Sequence, residues 1–185
     1  MVLLQEDAAK VAIHSAVSIM EMMELITEKF PTLDGVWCVM DGLKIPIQRP
    51  GDYRVQNAYY NGWLHGHFFG CIFIFAPDGT VVAASVNNPG SWHDSFIAKN
   101  SGIYDKLEQV FTLAGGKCVV DAAFSLHRCP FLIKSGREAL PQLGNEVIIR
   151  DAQATSLRQT AEWGMRALQG SFPRLKEKIT YSDRV

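Results

Sequence analysis

Asp41 and Asp121 each close a short apolar run, Val36-Trp37-Cys38-Val39-Met40 before the first and Lys117-Cys118-Val119-Val120 before the second, and Glu162 lies in a later helix-forming segment. Two carboxylates at the ends of buried strands plus one from a helix make the donor set of a divalent metal site suited to phosphodiester chemistry. Mg²⁺ and Mn²⁺ take hard oxygen ligands, need few protein carboxylates, and leave their other positions to water and substrate phosphate. Each acid also has an ordinary explanation. An Asp after a strand commonly serves a turn, and a helical Glu is commonly just exposed, so the surroundings and order of the three must carry the case.

The elements that would position them follow from periodicity. Leu4, Ala8, Val11, Ala12, Ile19, Met22, Met23, Ile26 and Phe30 recur at helical spacing until Pro31, which predicts an amphipathic helix over residues 1–30. The run from Val36 to Met40 is apolar on both faces, as in a central strand, and residues 42–62 read as a Gly-, Pro- and Asn-rich loop. Gly70 to Ala76 and Val81 to Val86, joined by Pro77-Asp78-Gly79-Thr80, predict a β-hairpin. A helical stretch starts at Asp94-Ser95, is interrupted near Asn100 to Gly102, and stops at Gly115-Gly116 ahead of the strand that carries Asp121. Residues 152–169 form a last helix closed by Gly170 and Pro173, with Ala154, Leu157, Ala161, Met165 and Leu168 on one stripe.

Strand, hairpin, helix, strand, helix is an α/β order in which the first strand and the Asp121 strand can lie parallel, side by side, with both acids at one edge. Ligand sites in open α/β sheets sit beyond the carboxyl ends of strands. A chain of 185 residues fits one domain with an ordinary core. Its 48% hydrophobic and 20% charged residues are those of a globular protein, and a net charge of −1 speaks against a strongly basic nucleic-acid wrapper. It leaves room for a nuclease, because bound cations invert the sign of an acidic site. No apolar stretch reaches membrane-spanning length and the first 30 residues lack a signal-peptide pattern, so an intracellular protein without membrane contact is expected. Cys38, Cys71 and Cys118 fall in apolar runs and read as small hydrophobes; Cys129, two residues after His127, lacks the second pair that a zinc site requires.

Five stretches of sequence carry a resemblance. They are Asp41-Gly42-Leu43-Lys44-Ile45-Pro46-Ile47, Tyr60-Asn61-Gly62-Trp63-Leu64-His65-Gly66-His67, Pro89-Gly90-Ser91-Trp92-His93-Asp94-Ser95, Arg158-x-x-x-Glu162-Trp163-Gly164-Met165-Arg166 and Phe172-Pro173-Arg174-Leu175-Lys176. In this order they resemble the transposases of the PIF/Harbinger superfamily, whose DDE endonuclease domain has a ribonuclease H-like fold. The resemblance runs from about Leu33 to Lys176 and implies a mixed central sheet flanked by helices, with residues 31–185 as the catalytic domain. It implies DNA cleavage with two divalent ions, Mg²⁺ or Mn²⁺, held by Asp41, Asp121 and Glu162, with Asp94 as a further metal ligand. It also implies DNA as partner, a Myb-like DNA-binding protein as helper, and nuclear residence; an oligomer is compatible with it. The family commonly follows its second Asp with Gly-Tyr, where this chain has Ala122-Ala123-Phe124, and the family's upstream DNA-binding helices have no counterpart here. A domesticated, non-cutting module that binds DNA or protein is the alternative function.

Within that frame Asp41 takes the role of the carboxylate shared by both ions, and Arg158, one helical turn before Glu162, either orients its carboxylate or forms a solvated surface pair. Asp94 is open between metal ligand and helix N-cap. His65 and His67 would share a face if residues 63–69 were a strand. Lys44, Asn61, His65, His67, His93 and Arg158 complete the set as candidate substrate contacts. Trp63 and Trp92 could stack on DNA, with partial burial in the core the simpler reading for both, and Lys176 is either a phosphate contact or a solvated lysine.

Overall fold

A computed structural model describes residues 16–136 and 144–181. In chain order the elements are α1 (Ala16–Lys29), β1 (Val36–Pro46), α2 (Tyr53–Tyr59), β2 (Tyr60–Asn61), β3 (Gly66–Phe75), β4 (Val81–Pro89), α3 (Asp94–Asn100), α4 (Ile103–Ala114), β5 (Lys117–Val120), β6 (Leu132–Lys134) and α5 (Asn145–Ser171), then a 3-10 turn at Pro173–Lys176. Among the described residues the strands form one mixed sheet in the order β4-β3-β1-β5-β6, with β2 pairing the start of β3. β1 is antiparallel to β3 and parallel to β5, and β5 is parallel to β6. The sheet with helices on its faces is the mixed α/β architecture that the order of elements implied, and it is compatible with the ribonuclease H-like fold that the resemblance implied.

Alternation along β1 explains why it is central. Cys38 and Met40 point into a core with Ile72, Ile74, Ile97, Leu107, Val120 and Phe124, beneath α3 and α4. Val39 and Ile45 point into a second core with Phe73, Phe75, Val119, Leu157, Ala161 and Met165, beneath α5. A strand buried on both faces must be apolar at successive positions, and Val36 through Met40 are all buried. Ile19 and Ile26 attach α1 to the two cores; the apolar positions Leu4, Ala8, Val11 and Ala12 lie outside the described residues.

Three expectations change. β1 does not end at Asp41 but runs on to Pro46, because Leu43 and Ile45 keep facing the α5 core and β3 keeps pairing as far as Phe68. The expected loop over 42–62 therefore contains the end of β1, the helix α2 and the short β2. Asp52 starts α2 by accepting the N–H groups of Arg54 and Val55 at 2.8 and 3.0 Å, a local capping signal hidden in a Gly- and Pro-rich stretch. β6 is a strand of three residues, too short for alternation to announce it. The hairpin, the break between α3 and α4 at Gly102 (φ 74°), and the stop at Gly115 (φ 71°) fall where glycine and turn residues predicted them.

Candidate active site

The parallel pairing of β1 and β5 fixes two of the acids. Met40 pairs with Val120, so Asp41 and Asp121 come next on adjacent strands, at the point where β5 stops and β1 continues against β3. Both follow residues whose alternation sends them to the α5 face, Val39 on β1 and Val119 on β5. Asp41 is half-buried and its carboxyl is pushed up to about 6; burial is the largest cause and the neighbouring Asp121 and Asp94 charges add to it, while the Gly42 N–H and the Arg158 guanidinium pull it back. The Gly42 N–H donates to Asp41 Oδ1 at 2.9 Å. Asp121 Oδ1 accepts from the Ala123 N–H at 2.9 Å, so this acid makes its turn as well as facing Asp41.

α5 brings Arg158 and Glu162. It seats closely on the sheet because Gly164 leaves room for the Phe75 ring, which a Cβ there would meet at 2.5 Å. Gln153, one end of the same helix, accepts from Thr32 N and Oγ1 at 3.0 and 2.7 Å. Arg158 acts on Asp41 and also stands 3.9 Å from Glu162 Oε1. Glu162 itself is exposed, and among the described residues no three His, Cys, Asp or Glu side chains converge tightly enough to hold a metal ion.

Asp94 reaches β1 from the other face. The N-cap of α3 is His93, whose side chain makes no capping bond, and Asp94 is the first helical residue, so the N-cap reading of Asp94 is not realised. Its carboxylate lies where a side chain at position 42 would go, with Cγ 2.6 Å from an imagined Gly42 Cβ, and Lys44 Nζ is 3.2 Å from its Oδ1. Lys44 also donates to the Trp92 carbonyl at 2.9 Å. Asp41 and Gly42 are successive residues, so Asp41 and Asp94 approach the strand from opposite sides.

Carboxylates are the oxygen donors that a hard divalent cation takes, although no three converge among the described residues. Burial first, and the Asp121 and Asp94 charges after it, lift the Asp41 carboxyl, offset in part by Arg158. With these positions known, comparison with protein families is decisive: residues 40–184 match the family described as DDE superfamily endonuclease. The chain belongs to that family. The match spans Asp41, Asp94, Asp121 and Glu162. No curated protein and no solved structure matches the chain.

The other candidates of this DDE endonuclease chain are placed differently. Asn61 is committed to its own turn, accepting from Trp63 N and Leu64 N at 3.1 and 3.0 Å and donating to Gly90 O at 2.8 Å. β3 starts only at Gly66, and His65 is left-handed at φ 51°, so His65 and His67 do not share a strand face. His67 packs against Tyr60 instead, with ring centroids 5.4 Å apart. Trp92 packs partly into the core and edge-on to Phe96, whereas Trp63 is 90% exposed, against the expectation of burial. Lys176 lies exposed in the terminal 3-10 turn. Cys38, Cys71 and Cys118 are buried free thiols.

Ser95 went unrecognised in the sequence. Its hydroxyl donates to Ala123 O at 2.9 Å and accepts from Ser125 N at 2.8 Å, stitching the start of α3 to the loop after Asp121. Phe124, fully buried, anchors the same loop. The place of Ser95, one residue after Asp94, was the available signal. Among the described residues no helix is long and apolar enough to cross a membrane.

Proposed function

We propose that this chain is the catalytic domain of a PIF/Harbinger-type transposase, cutting DNA phosphodiester bonds with two Mg²⁺ or Mn²⁺ ions, with residues 31–185 as the catalytic unit. The observation that carries the reading is the pairing of Met40 with Val120, which sets Asp41 and Asp121 side by side within a DDE endonuclease match. Asp41, Asp121 and Glu162 would hold the ions. When bound, such a pair supplies an activated attacking oxygen and charge stabilisation at the leaving oxygen.

The chain's own residues do the rest. Arg158 offsets the carboxylates before loading, and Glu162, 3.9 Å from the Arg158 guanidinium, would complete the ion-holding set from α5. Asp94 holds Lys44 at the edge of the site, where its ammonium meets substrate phosphate and the Asp94 charge adds to the field at Asp41. The helper in this reading is a Myb-like DNA-binding protein, and the site of action is the nucleus, with self-association compatible.

The test is nicking of supercoiled and hairpin DNA by the purified chain. Cutting with Mg²⁺ or Mn²⁺ and not with Ca²⁺ is expected, since Ca²⁺ does not enforce tight octahedral geometry, and Asp121→Asn should abolish it. A preparation that binds Mn²⁺ yet leaves every substrate intact would replace this reading with the non-cutting, DNA- or protein-binding module.

A further inference from the structure

The turn after Asp121 has no residue that shapes it through the backbone alone. Asp121-Ala122-Ala123-Phe124-Ser125-Leu126-His127 contains neither glycine nor proline, and Ala122, Ala123 and Ser125 are exposed. A turn of this composition relies on side chains for its shape. Three supply it. Phe124 buries its ring completely, Asp121 Oδ1 accepts from the Ala123 N–H at 2.9 Å, and Ser95 on α3 donates to Ala123 O at 2.9 Å while accepting from Ser125 N at 2.8 Å.

Ser95 is the unusual member of the three. A serine hydroxyl ordinarily bonds backbone close to it in the chain, but this one reaches residues 28 and 30 positions away. It does so because a hydroxyl donates and accepts at once. Ala123 is thereby held at both ends, its N–H on Asp121 and its carbonyl on Ser95. The residue before Ser95 is Asp94, whose carboxylate lies against Gly42 and Lys44 of β1. Two successive residues at the start of α3 therefore hold the strand of Asp41 and the turn of Asp121.

We infer that Ser95 is a positioning residue for Asp121. Acting through Ala123, it fixes the hold on the Asp121 carboxylate, with Oδ1 on the turn and Oδ2 left to an ion, and ties that carboxylate to the helix start that carries Asp94. The ion in this statement rests on the nuclease reading; the hold on the carboxylate does not. Groups that orient a metal ligand without touching the metal contribute about ten- to a hundredfold to its affinity. Alanine is the better helix former, so loss of the hydroxyl takes nothing from α3 itself and its effect falls on the turn.

The experiment titrates the full chain with Mn²⁺ alone, reading the free ion by electron paramagnetic resonance. Ser95→Ala should weaken binding about ten- to a hundredfold, and Ser95→Thr, which keeps the hydroxyl, should restore it. Ser101→Ala removes a hydroxyl bond at the other end of α3, to Ala98 O at 3.4 Å, and should match wild type. In the metal-free protein, amide exchange at Ala123 should quicken about two- to tenfold in Ser95→Ala, the equivalent of one lost hydrogen bond. A serine that served α3 alone would leave Ala123 unmoved. Should Ser95→Ala not fold, Ser95→Cys, whose thiol is a weak donor and acceptor, carries both measurements. If wild type binds Mn²⁺ and Ser95→Ala binds it equally well, the inference is overturned and the nuclease reading stands. Equal losses in Ser95→Ala and Ser101→Ala also overturn it, because the effect then belongs to α3 as a whole. A wild type that binds no Mn²⁺ sinks the nuclease reading, and Ala123 exchange then decides alone: quickened exchange upholds the hold on Asp121, and unchanged exchange overturns it.

Discussion

Removing the charge from Asp41 should stabilise the metal-free protein, and only above a definite pH. The folded carboxyl sits at about 6, against ~3.9 in an unfolded chain. Below ~3.9 both states are protonated and the site imposes no cost. As pH rises from there, the unfolded chain ionises first and the folded state loses stability, until the loss is complete above about 6. A displacement of roughly 2 units at about 1.4 kcal/mol each gives an upper bound near 3 kcal/mol; partial exposure of Asp41 trims this to about 2 kcal/mol. Asp41→Asn keeps an oxygen for the Gly42 N–H and carries no charge, so at pH 7.5 in EDTA it should melt about 4–8 °C above wild type, and at pH 4.5 the gain should shrink to about a third of that. Mn²⁺ should then raise the melting temperature of wild type at pH 7.5 and leave Asp41→Asn unmoved. Thermal unfolding at the two pH values measures all of this. A gain of equal size at both pH values, or a variant less stable than wild type at pH 7.5, would refute the electrostatic account of the site.

Three further outcomes are expected. Gly42→Ala places a Cβ 2.6 Å from Asp94 Cγ, which should displace the acid from Lys44 and cost about 1–3 kcal/mol in urea unfolding; wild-type stability would mean that Asp94 lies elsewhere. Asp94→Asn leaves Lys44 without its countercharge and should cost about 1–2 kcal/mol while lowering Mn²⁺ affinity less than Asp121→Asn does, and a calorimetric titration that ranks the two the other way would make Asp94 a primary ligand. Glu162→Gln disturbs only an exposed pair 3.9 Å apart, so apo stability should stay within about 0.5 kcal/mol while Mn²⁺ affinity falls at least tenfold; unchanged affinity would remove Glu162 from the site.

Much of the acidic pair was legible because strand burial is written in consecutive residues. Val36 to Met40 and Cys118 to Val120 have no polar position, which required strands covered on both sides, and the helix between them allowed parallel pairing with both acids at one edge. The end of β1 was misread because the sequence there changes from continuous to alternating burial. Leu43 and Ile45 face the α5 core while Gly42 and Lys44 face the other way, and such a strand looks like a loop when it contains glycine and proline. β2 and β6 were invisible for a different reason: two or three residues cannot show a period. The exposure of Trp63 was illegible because hydrophobicity predicts burial and the turn that prevents it depends on Gly90, nearly thirty residues away.

Asp94 shows why a motif can locate a residue without describing its role. The sequence left it between N-cap and metal ligand, both of which treat it as belonging to its own helix. Its position depends on β1, a strand more than fifty residues earlier, through an absent side chain at Gly42 and a cation at Lys44. Because Asp41 and Gly42 are neighbours on an alternating strand, the carboxylate that fills the space at 42 must come from the face opposite Asp41. The strand thus separates an acidic pair backed by Arg158 from an ion pair backed by α3, and their charges reach one another across a single backbone. Any substrate phosphate that engages Lys44 weakens that lysine's hold on Asp94, and so changes the field at Asp41 from the far side of the strand.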